Sequence, residues 1–305
     1  MEKDRDNLAL AVTVIVLTVL TLSLGDAIIK TLSADLVLWQ IFVLRSLVAI
    51  PLLLILLHMR FPDISLIPRS LGWTAARSLM LALMWVAYYA SLPHLQLSIA
   101  AAAYYTLPIF ITLFSAVLVG EPVNRAGWFA VVLGFVGTLL ILKPAADAFN
   151  LYALLPVASA MLYALAMILT RTKCRDEHPL VLSAALNVTF ILIGLLATVF
   201  GSIAGDTGTS QAFMSPKWSS MDGNAFAAIG LLGVAILVAS IGTAVAYQNG
   251  PSSVVATFDF AYVGFAVIWG LVFFSELPDL VSVGGMLLIV IAGIVSIRQG
   301  RTIRA

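Results

Sequence analysis

Three charged residues stand inside long apolar stretches of the sequence: Asp26, Arg45 and Asp259. A charge at the centre of a membrane helix costs about 2.5–3.5 kcal/mol on insertion scales, so each should face protein or water and have a partner. Arg45 is a candidate to bind a substrate carboxylate, and either acid is a candidate to carry a proton. The structural alternative is an ion pair, either Arg45 with Asp26 or Asp26 with Lys30 one helical turn away.

The composition places these charges in a membrane protein. The chain is 62% hydrophobic and 10% charged, with a mean hydropathy of +1.08. A soluble domain of 305 residues cannot cover so much apolar surface. The net charge of +1 gives no indication of a nucleic-acid partner, and a single cysteine, Cys174, leaves no intrachain disulfide. We therefore expect the lipid bilayer as partner, with no metal and no cofactor.

Apolar segments long enough to cross a bilayer recur along the chain. A membrane helix needs about 20 mainly apolar residues. Ten segments meet this description, near residues 8–31, 36–58, 71–92, 97–119, 126–142, 150–171, 179–204, 225–247, 252–274 and 280–298. The first is too long for the core of a signal peptide, so it is predicted to remain as a span. The long polar connection at 205–224 is predicted to be flexible.

Lysine and arginine are distributed unequally between the two ends of these segments. With the N-terminus inside, twelve lie at cytoplasmic ends and three at outer ends: Lys30, Lys143 and Lys217. This bias predicts that both termini are cytoplasmic. Because each half has five spans, the halves then run in opposite directions. Arg77, near the cytoplasmic end of span 3, is expected to extend its charge to the membrane surface.

The stretch Ser98–Leu142 is similar to Ser253–Ile297, since each contains an apolar helix, a short break and a second apolar helix. A repeat of about 150 apolar residues is typical of transporters built from two related halves. The sequence therefore predicts two inverted-topology repeats, 1–148 (spans 1–5) and 149–305 (spans 6–10), around a central cavity. The alternative is a chance likeness between two hydrophobic helix pairs.

Each break of the repeat carries a glutamate, Glu121 in the first copy and Glu276 in the second, 155 residues apart. Both lie at helix ends. We expect them to cap helices or form pairs between the halves rather than to contact cargo.

Aromatic residues are concentrated in spans 3, 4 and 9. Leu81, Trp85 and Tyr89 recur at four-residue spacing, which places them on one helix face. Tyr104 and Phe258 lie deeper than an interfacial belt would require. A buried tyrosine needs a partner for its hydroxyl, which favours a wet cavity, although packing and belts account for part of the set. An aromatic cage suits planar or cationic cargo.

At this point the residues carry a family resemblance. The segments Tyr105–Phe110 and Gly120–Pro122, followed by a glycine-rich fifth helix, resemble the EamA-type repeat of the drug/metabolite transporter superfamily. The second copy, with Ser275–Leu277 and later glycines, resembles the same pattern over nearly the whole chain. Within the superfamily, the aromatic richness is most similar to that of the bacterial aromatic amino-acid exporter. Ten spans in a five-plus-five arrangement are what this resemblance implies.

The resemblance also implies which spans surround the substrate, namely spans 3, 4, 8 and 9. Carried over to this sequence, the implied substrate-binding residues are Trp85, Tyr89, Tyr104, Pro108, Tyr247, Asp259 and Tyr262. Arg45 is added to them as a carboxylate ligand, and Asp259 and Asp26 as candidates for proton coupling. Pro108 is expected to kink span 4, and Val263 at the corresponding position predicts no such kink in the second half.

The function that these features favour is a secondary carrier. No phosphate-binding loop of the form GxxxxGK[ST] occurs, so ATP hydrolysis is not indicated. We expect a non-enzymatic exporter of small metabolites, aromatic and other amino acids first, that works by alternating access in the bacterial inner membrane, with a homodimer as a candidate assembly. The alternatives are a multidrug, organic-cation or nucleoside-type exporter and, from other classes, a channel or an intramembrane enzyme.

Overall fold

The computed structural model describes residues 7–32, 35–91, 94, 103–142, 151–204, 212–274 and 279–302, which form helices joined by short connections and contain no strand. The helices are α1 (Leu8–Leu32), α2 (Leu38–Arg60), α3 (Leu71–Ser91), α4 (Leu107–Phe114, continued by a π-helical turn, Ser115–Val119), α5 (Arg125–Leu142), α6 (Leu154–Thr172), α7 (Pro179–Ala204), α8 (Gly223–Asn249), α9 (Ser252–Asp259), α10 (Ala261–Phe274) and α11 (Leu280–Thr302). The expected all-α class is confirmed.

Most of these helices are apolar enough for a bilayer. Six stretches combine sufficient length and hydropathy to cross a membrane, and three shorter apolar helices accompany them in the described part of the chain. Helix α3 is not among either group, because Arg77 and its polar and aromatic residues lower its hydropathy. The membrane class is thus supported, while the count of ten spans stays a prediction.

The predicted spans 4 and 9 are both interrupted near their middle. Helix α9 ends at Asp259 and α10 begins at Ala261, with Phe260 between them, and a turn at Tyr105–Thr106 precedes α4. Pro108 lies in the first turn of α4, where its missing N–H has no helical partner to lose. The prediction of a kink in one half only was wrong, because the second half breaks without a proline.

Helices from residues 1–148 pack chiefly against helices from residues 149–305. Helix α1 packs on α8 and α3 on α6, while α2 packs on α7 and α5 on α11. If spans 1–5 are matched in order with spans 6–10, the pair α1–α8 corresponds to the pair α6–α3. The pairs α2–α7 and α5–α11 each correspond to themselves. The bundle is therefore interleaved across the sequence midpoint, not divided into two bodies side by side.

The contact of α5 with α11 depends on two facing glycines. A Cβ on Gly137 would lie 2.7 Å from the carbonyl oxygen of Gly285, and a Cβ on Gly285 would meet Gly137 as closely. Small residues allow helices to approach to this distance in a bilayer. The backbones of α5 and α11 therefore touch where Gly137 faces Gly285.

Candidate substrate cavity

A small cavity of about 20 Å³, enough for a water molecule, lies between α1, α2, α3 and α8. This volume is far below the roughly 300–1,000 Å³ that is usual for small-molecule sites, so cargo can enter only when the surrounding helices move apart. Its lining residues are Thr21, Leu22, Gly25, Asp26, Ile29, Arg45, Trp85, Leu232, Ala235 and Ile236. The cavity lies among spans 1, 2, 3 and 8, and it shares spans 3 and 8 with the set of spans 3, 4, 8 and 9 implied by the family resemblance, which stays a prediction.

Arg45 is the most unusual group in the cavity. Its side chain is 3% exposed, and its Nε and Nη2 atoms find no hydrogen-bond partner among the described residues. The guanidinium lies over two buried rings, 4.7 Å from the Phe42 centroid and 4.5 Å from the Phe190 centroid. The rings hold the cation by cation–π attraction but leave its N–H groups unused. A buried arginine with unused donors is suited to bind an anion.

Asp26 supplies the negative charge of the same cavity. It accepts a hydrogen bond from the Tyr262 hydroxyl of α10, and a second contact between the same helices joins Trp269 Nε1 to Ser23 Oγ at 3.0 Å. Asp26 forms no direct ion pair with Arg45 in the described part of the chain. The two opposite charges therefore line one space without a direct salt bridge, and the side chain of Lys30, the other candidate partner of Asp26, lies outside the described residues.

Aromatic side chains support the cavity at Trp85. The indole of Trp85 stacks on Tyr89 with ring centroids 5.4 Å apart and an interplanar angle of 18°. Phe213, from the connection between α7 and α8, packs on the other edge of Tyr89 at 5.7 Å. The same connection is fastened to α2, since Trp39 Nε1 donates to the carbonyl of Met214 at 3.1 Å. The described end of the loop predicted to be flexible is thus packed onto the helices.

Four other predicted site residues are not among those that line the cavity. Tyr89 is 5% exposed, Pro108 is buried in α4, and Tyr104 packs on Tyr88 with ring centroids 5.1 Å apart. Tyr262 reaches the site only through its hydrogen bond to Asp26. Tyr262 thus orients Asp26 and Tyr89 supports Trp85, and none of the four is among the cavity's lining residues.

The last two predicted residues, Asp259 and Tyr247, form a separate pair. The Tyr247 hydroxyl donates to Asp259 Oδ2 at 2.5 Å, and the two side chains are 0% and 4% exposed respectively. Neither lines the cavity. The structure therefore separates the two acids that the sequence proposed for coupling, leaving Asp26 in the cavity and Asp259 outside it.

A polar network centred on Glu121 closes the end of the bundle at which α4 and α6 end and α9 begins. Glu121 Oε1 accepts from Arg171 Nε at 3.2 Å, and Oε2 accepts from the backbone N–H of Ser252 at 3.0 Å and from the Ser115 hydroxyl. Arg171 Nη1 also donates to the Gln248 carbonyl at 3.4 Å. We call these five residues the Glu121 network. The expectation that Glu121 caps and pairs between the halves is confirmed, and Glu276 lies outside the described residues.

Two groups near this network differ from expectation or add to it. Arg77, expected at the membrane surface, is 1% exposed and donates from Nε to Thr170 Oγ1 at 2.6 Å, because α3 packs this face against α6. Cys174 is fully buried, and its carbonyl accepts from Gln248 Nε2 at 2.7 Å. Burial raises the pKa of the Cys174 thiol, so it stays neutral and unreactive while this end is closed.

The cavity residues that sequence reasoning missed are mainly small or aliphatic. Gly25, Ala235 and Leu232 provide space and apolar surface but no chemistry of their own. Gly25 stands directly beside Asp26 in the sequence. A glycine next to an intramembrane acid was the one signal that space is kept beside the charge.

The first half of the chain matches a known protein family. Residues 9–143 match the EamA-like transporter family. One crystal structure superposes on this chain with a TM-score of 0.77, covering 97% of this chain and 98% of its own, at 17% sequence identity. That likeness shows a shared fold.

Several proteins named as transporters are similar in sequence. A pseudopaline exporter of Pseudomonas aeruginosa is 28% identical over 288 residues, 94% of this chain and 95% of the exporter. Riboflavin transporters of Rhizobium johnstonii and Vibrio cholerae are 31% and 30% identical over 194 and 175 residues, which are 64% and 57% of this chain and 58% and 53% of those proteins.

Proposed function

We propose that this chain is a membrane transporter of the EamA type that exports a small organic metabolite carrying both a carboxylate and an ammonium group, on the support of its similarity to that family and to named transporters. Amino acids, aromatic ones included, and compounds derived from them are the proposed class. The carrying observation is that Arg45 and Asp26 line one cavity without pairing with each other. Transport proceeds by alternating access in a bacterial inner membrane, without ATP hydrolysis.

The geometry supports a zwitterion over a simple anion or cation. An anion would satisfy the free N–H groups of Arg45 but would place a second negative charge near Asp26. A cation would pair with Asp26 but would place a second positive charge near Arg45. A cargo with both charges presents its carboxylate to Arg45 and its ammonium to Asp26, so both buried charges gain hydrogen-bonded partners.

The walls of the cavity favour an apolar or planar group next to these charges. Trp85 lines the cavity, and Leu232 and Ile236 add aliphatic surface to it. Aromatic cargo gains from offset stacking on such a ring, by about 0.5–1.5 kcal/mol beyond burial. The relatives named for pseudopaline and riboflavin are not named for aromatic amino acids, so the proposed class is kept broader than that.

The exchange of helix contacts between the halves supports alternating access. Contacts of α1 with α8 correspond to contacts of α6 with α3 when the halves are exchanged. Two halves that are alike in packing can adopt the same two arrangements at opposite membrane faces, which is the usual basis of carriers built from inverted repeats.

The test uses three related compounds on purified protein in detergent. L-phenylalanine has both charged groups, L-phenylalaninamide lacks the carboxylate, and 3-phenylpropionate lacks the ammonium. We expect L-phenylalanine to bind tightest, and each deletion to weaken binding by about tenfold to a hundredfold, because each removes one charge-assisted interaction of about 1.5–3 kcal/mol. Equal binding of all three, or of none, would contradict the proposal.

Residue variants identify which group each residue recognises. In Arg45→Gln protein, L-phenylalanine and its amide should bind equally well, because the carboxylate has lost its partner. In Asp26→Asn protein, the same should hold for L-phenylalanine and 3-phenylpropionate. If Arg45→Gln instead removed the preference over 3-phenylpropionate, or Asp26→Asn the preference over the amide, the residues that bind the carboxylate and the ammonium would have to be exchanged.

A planar ring compound is the second candidate. Its support is the stacked Trp85–Tyr89 pair at the cavity wall, together with the riboflavin transporters among the relatives. Riboflavin binding that survives Arg45→Gln but is lost in Trp85→Ala would favour this candidate over the zwitterion.

A further inference from the structure

Asp259 is a buried acid that the cargo site does not use. Its side chain is 4% exposed and accepts a hydrogen bond from Tyr247 at 2.5 Å. No lysine, arginine or histidine among the described residues forms an ion pair with it. One neutral hydroxyl does not replace the hydration of a carboxylate, so the ionised form is strongly disfavoured at this position.

The titratable groups around Asp259 are tyrosines on three different elements. Tyr247 of α8 is hydrogen-bonded to it, and Tyr163 of α6 and Tyr104 ahead of α4 lie within its electrostatic range. Arg77 of α3 also neighbours Tyr163 but forms no ion pair with Asp259. On α1, which packs on α9, Asp26 accepts its hydrogen bond from Tyr262 instead. The helices α5 and α11, which also pack on α9, contribute no charged partner in the described part of the chain.

Asp259 is mechanically connected to the closed end of the bundle. It is the last residue of α9, an eight-residue helix whose first residue, Ser252, donates its N–H to Glu121. At the other end of α9 the span is interrupted at Phe260, so the short helix is joined to the rest of its span by a break. Opening the Glu121 network would release α9 and change the surroundings of Asp259.

We propose that Asp259 carries the proton that is exchanged for cargo, while Asp26 recognises cargo. This proposal rests on the proposed transport function and deepens it by dividing the two acids between two tasks. In the closed form seen here Asp259 holds its proton. When the Glu121 network opens, water reaches α9 and the proton leaves to the side that the sequence predicts to be cytoplasmic.

The step involves only proton transfer. The O–H bond of the Asp259 carboxyl group breaks, the proton moves to water on the cytoplasmic side, and a carboxylate remains until a proton arrives from the other side. No electrons are transferred and no co-reactant besides the proton is needed. One proton enters for each cargo molecule that leaves.

The first test needs no cargo. Infrared spectroscopy of the purified protein at neutral pH should show the carbonyl stretch of a protonated carboxylic acid. We expect this band in the wild-type protein and in Asp26→Asn, and its loss in Asp259→Asn. A wild-type protein without the band, or an Asp259→Asn protein that keeps it, would overturn the proposal.

The second test measures coupling in proteoliposomes with labelled L-phenylalanine and the membrane potential clamped at zero. A gradient of one pH unit can sustain about tenfold accumulation by one-for-one exchange, because one unit equals a factor of ten in proton activity. Wild-type protein should approach this ratio. Asp259→Asn should still exchange labelled for unlabelled phenylalanine but accumulate none.

A matched variant separates loss of the acid from loss of packing. Tyr247→Phe keeps Asp259 and removes only its hydrogen bond, so accumulation should persist with a displaced pH dependence. Accumulation in Asp259→Asn, or wild-type transport that ignores the gradient, would overturn the division of tasks. If the wild-type protein moved no phenylalanine at all, the proposed cargo would fail, and the infrared band would still decide the protonation of Asp259.

Discussion

Two aspartates, the half-buried Asp26 and the buried Asp259, accept hydrogen bonds from tyrosines in this protein, yet their surroundings differ in charge and in access. Asp26 lines a cavity together with Arg45, whereas Asp259 lies outside the cavity with tyrosines around it. A carboxylate that lines a cavity near an arginine is favoured in its ionised form and can bind a cationic group. A carboxylate without either is stable only when it is neutral. The same pairing of residue types therefore serves recognition at one site and proton carriage at the other.

The largest effect is expected from replacing Arg45 by methionine. The substitution removes the group that faces the cargo carboxylate, and affinity for L-phenylalanine should fall about tenfold to a hundredfold. The melting temperature in detergent should stay unchanged or rise, because Arg45 Nε and Nη2 have no described partners to lose and a buried unpaired charge is removed. Calorimetric binding and thermal unfolding measure both quantities.

Arg171→Met is the matched control for this prediction. Arg171 is ion-paired with Glu121, so its replacement leaves a buried carboxylate without its cation and should lower the melting temperature. A lower melting temperature for Arg45→Met as well would mean that Arg45 stabilises the fold. It would then not differ from the ion-paired Arg171.

The next largest effect is expected at the end of the bundle that holds the Glu121 network. In Glu121→Gln the ion pair with Arg171 is lost and the bond to Ser252 is weakened, so the closed end should open more often. Cys174, the single cysteine, is buried beneath this end and reports the opening. Its modification by a maleimide should become about tenfold faster, which corresponds to roughly 1.4 kcal/mol of lost closure.

Asp222→Asn provides the control at the opposite end of α8. Asp222 caps that helix by accepting from the Ala225 N–H at 2.8 Å, and it lies far along the chain from the Glu121 network. Its loss should leave the modification rate of Cys174 within twofold of wild type, on the order of the scatter of such measurements. Equal acceleration in both variants would indicate general loosening instead of opening at one end.

The helical class and the main charged residues were predictable from the sequence. Long apolar stretches require helices in a bilayer, because each backbone polar group must be bonded within its own segment. Asp26, Arg45 and Asp259 stood out because charges are rare in such stretches. The role of Glu121 at the interface followed from its place at the end of a repeated helix. Each of these inferences depends on local sequence and solvent alone.

The arrangement of the site was not predictable in the same way. Whether Arg45 pairs with Asp26 depends on the distance between α1 and α2, which no periodicity encodes. No proline marks the break of span 9 at Phe260. The equivalent position of the first repeat, 155 residues earlier, is Tyr105, where span 4 is also interrupted. Arg77 looked like a surface residue because its depth depends on the packing of α3 on α6. Contacts between the halves decide all three.

A smaller effect tests the charge balance of the two aspartates. Asp26→Asn replaces a charge-assisted hydrogen bond from Tyr262 by a weaker neutral one, so the free energy of unfolding should fall by about 1 kcal/mol. Asp259→Asn should leave it nearly unchanged, because an amide oxygen still accepts from Tyr247 and the acid it replaces is already neutral. Thermal unfolding of both variants in the same detergent measures the difference. Equal losses would show that both acids are ionised.

The smallest effect comes from the two tyrosine hydroxyls. Tyr262→Phe and Tyr247→Phe each remove one hydrogen bond of about 1 kcal/mol, so their effects on stability should be similar. Their effects on function should differ. Tyr262→Phe frees Asp26 within the cavity and should change the affinity for L-phenylalanine a few-fold at every pH. Tyr247→Phe should leave that affinity unchanged and shift only the pH at which transport is half-maximal. If both variants changed the same quantity, the two aspartates would share one task. Each hydroxyl is bonded to one aspartate, so its loss affects transport only through that aspartate.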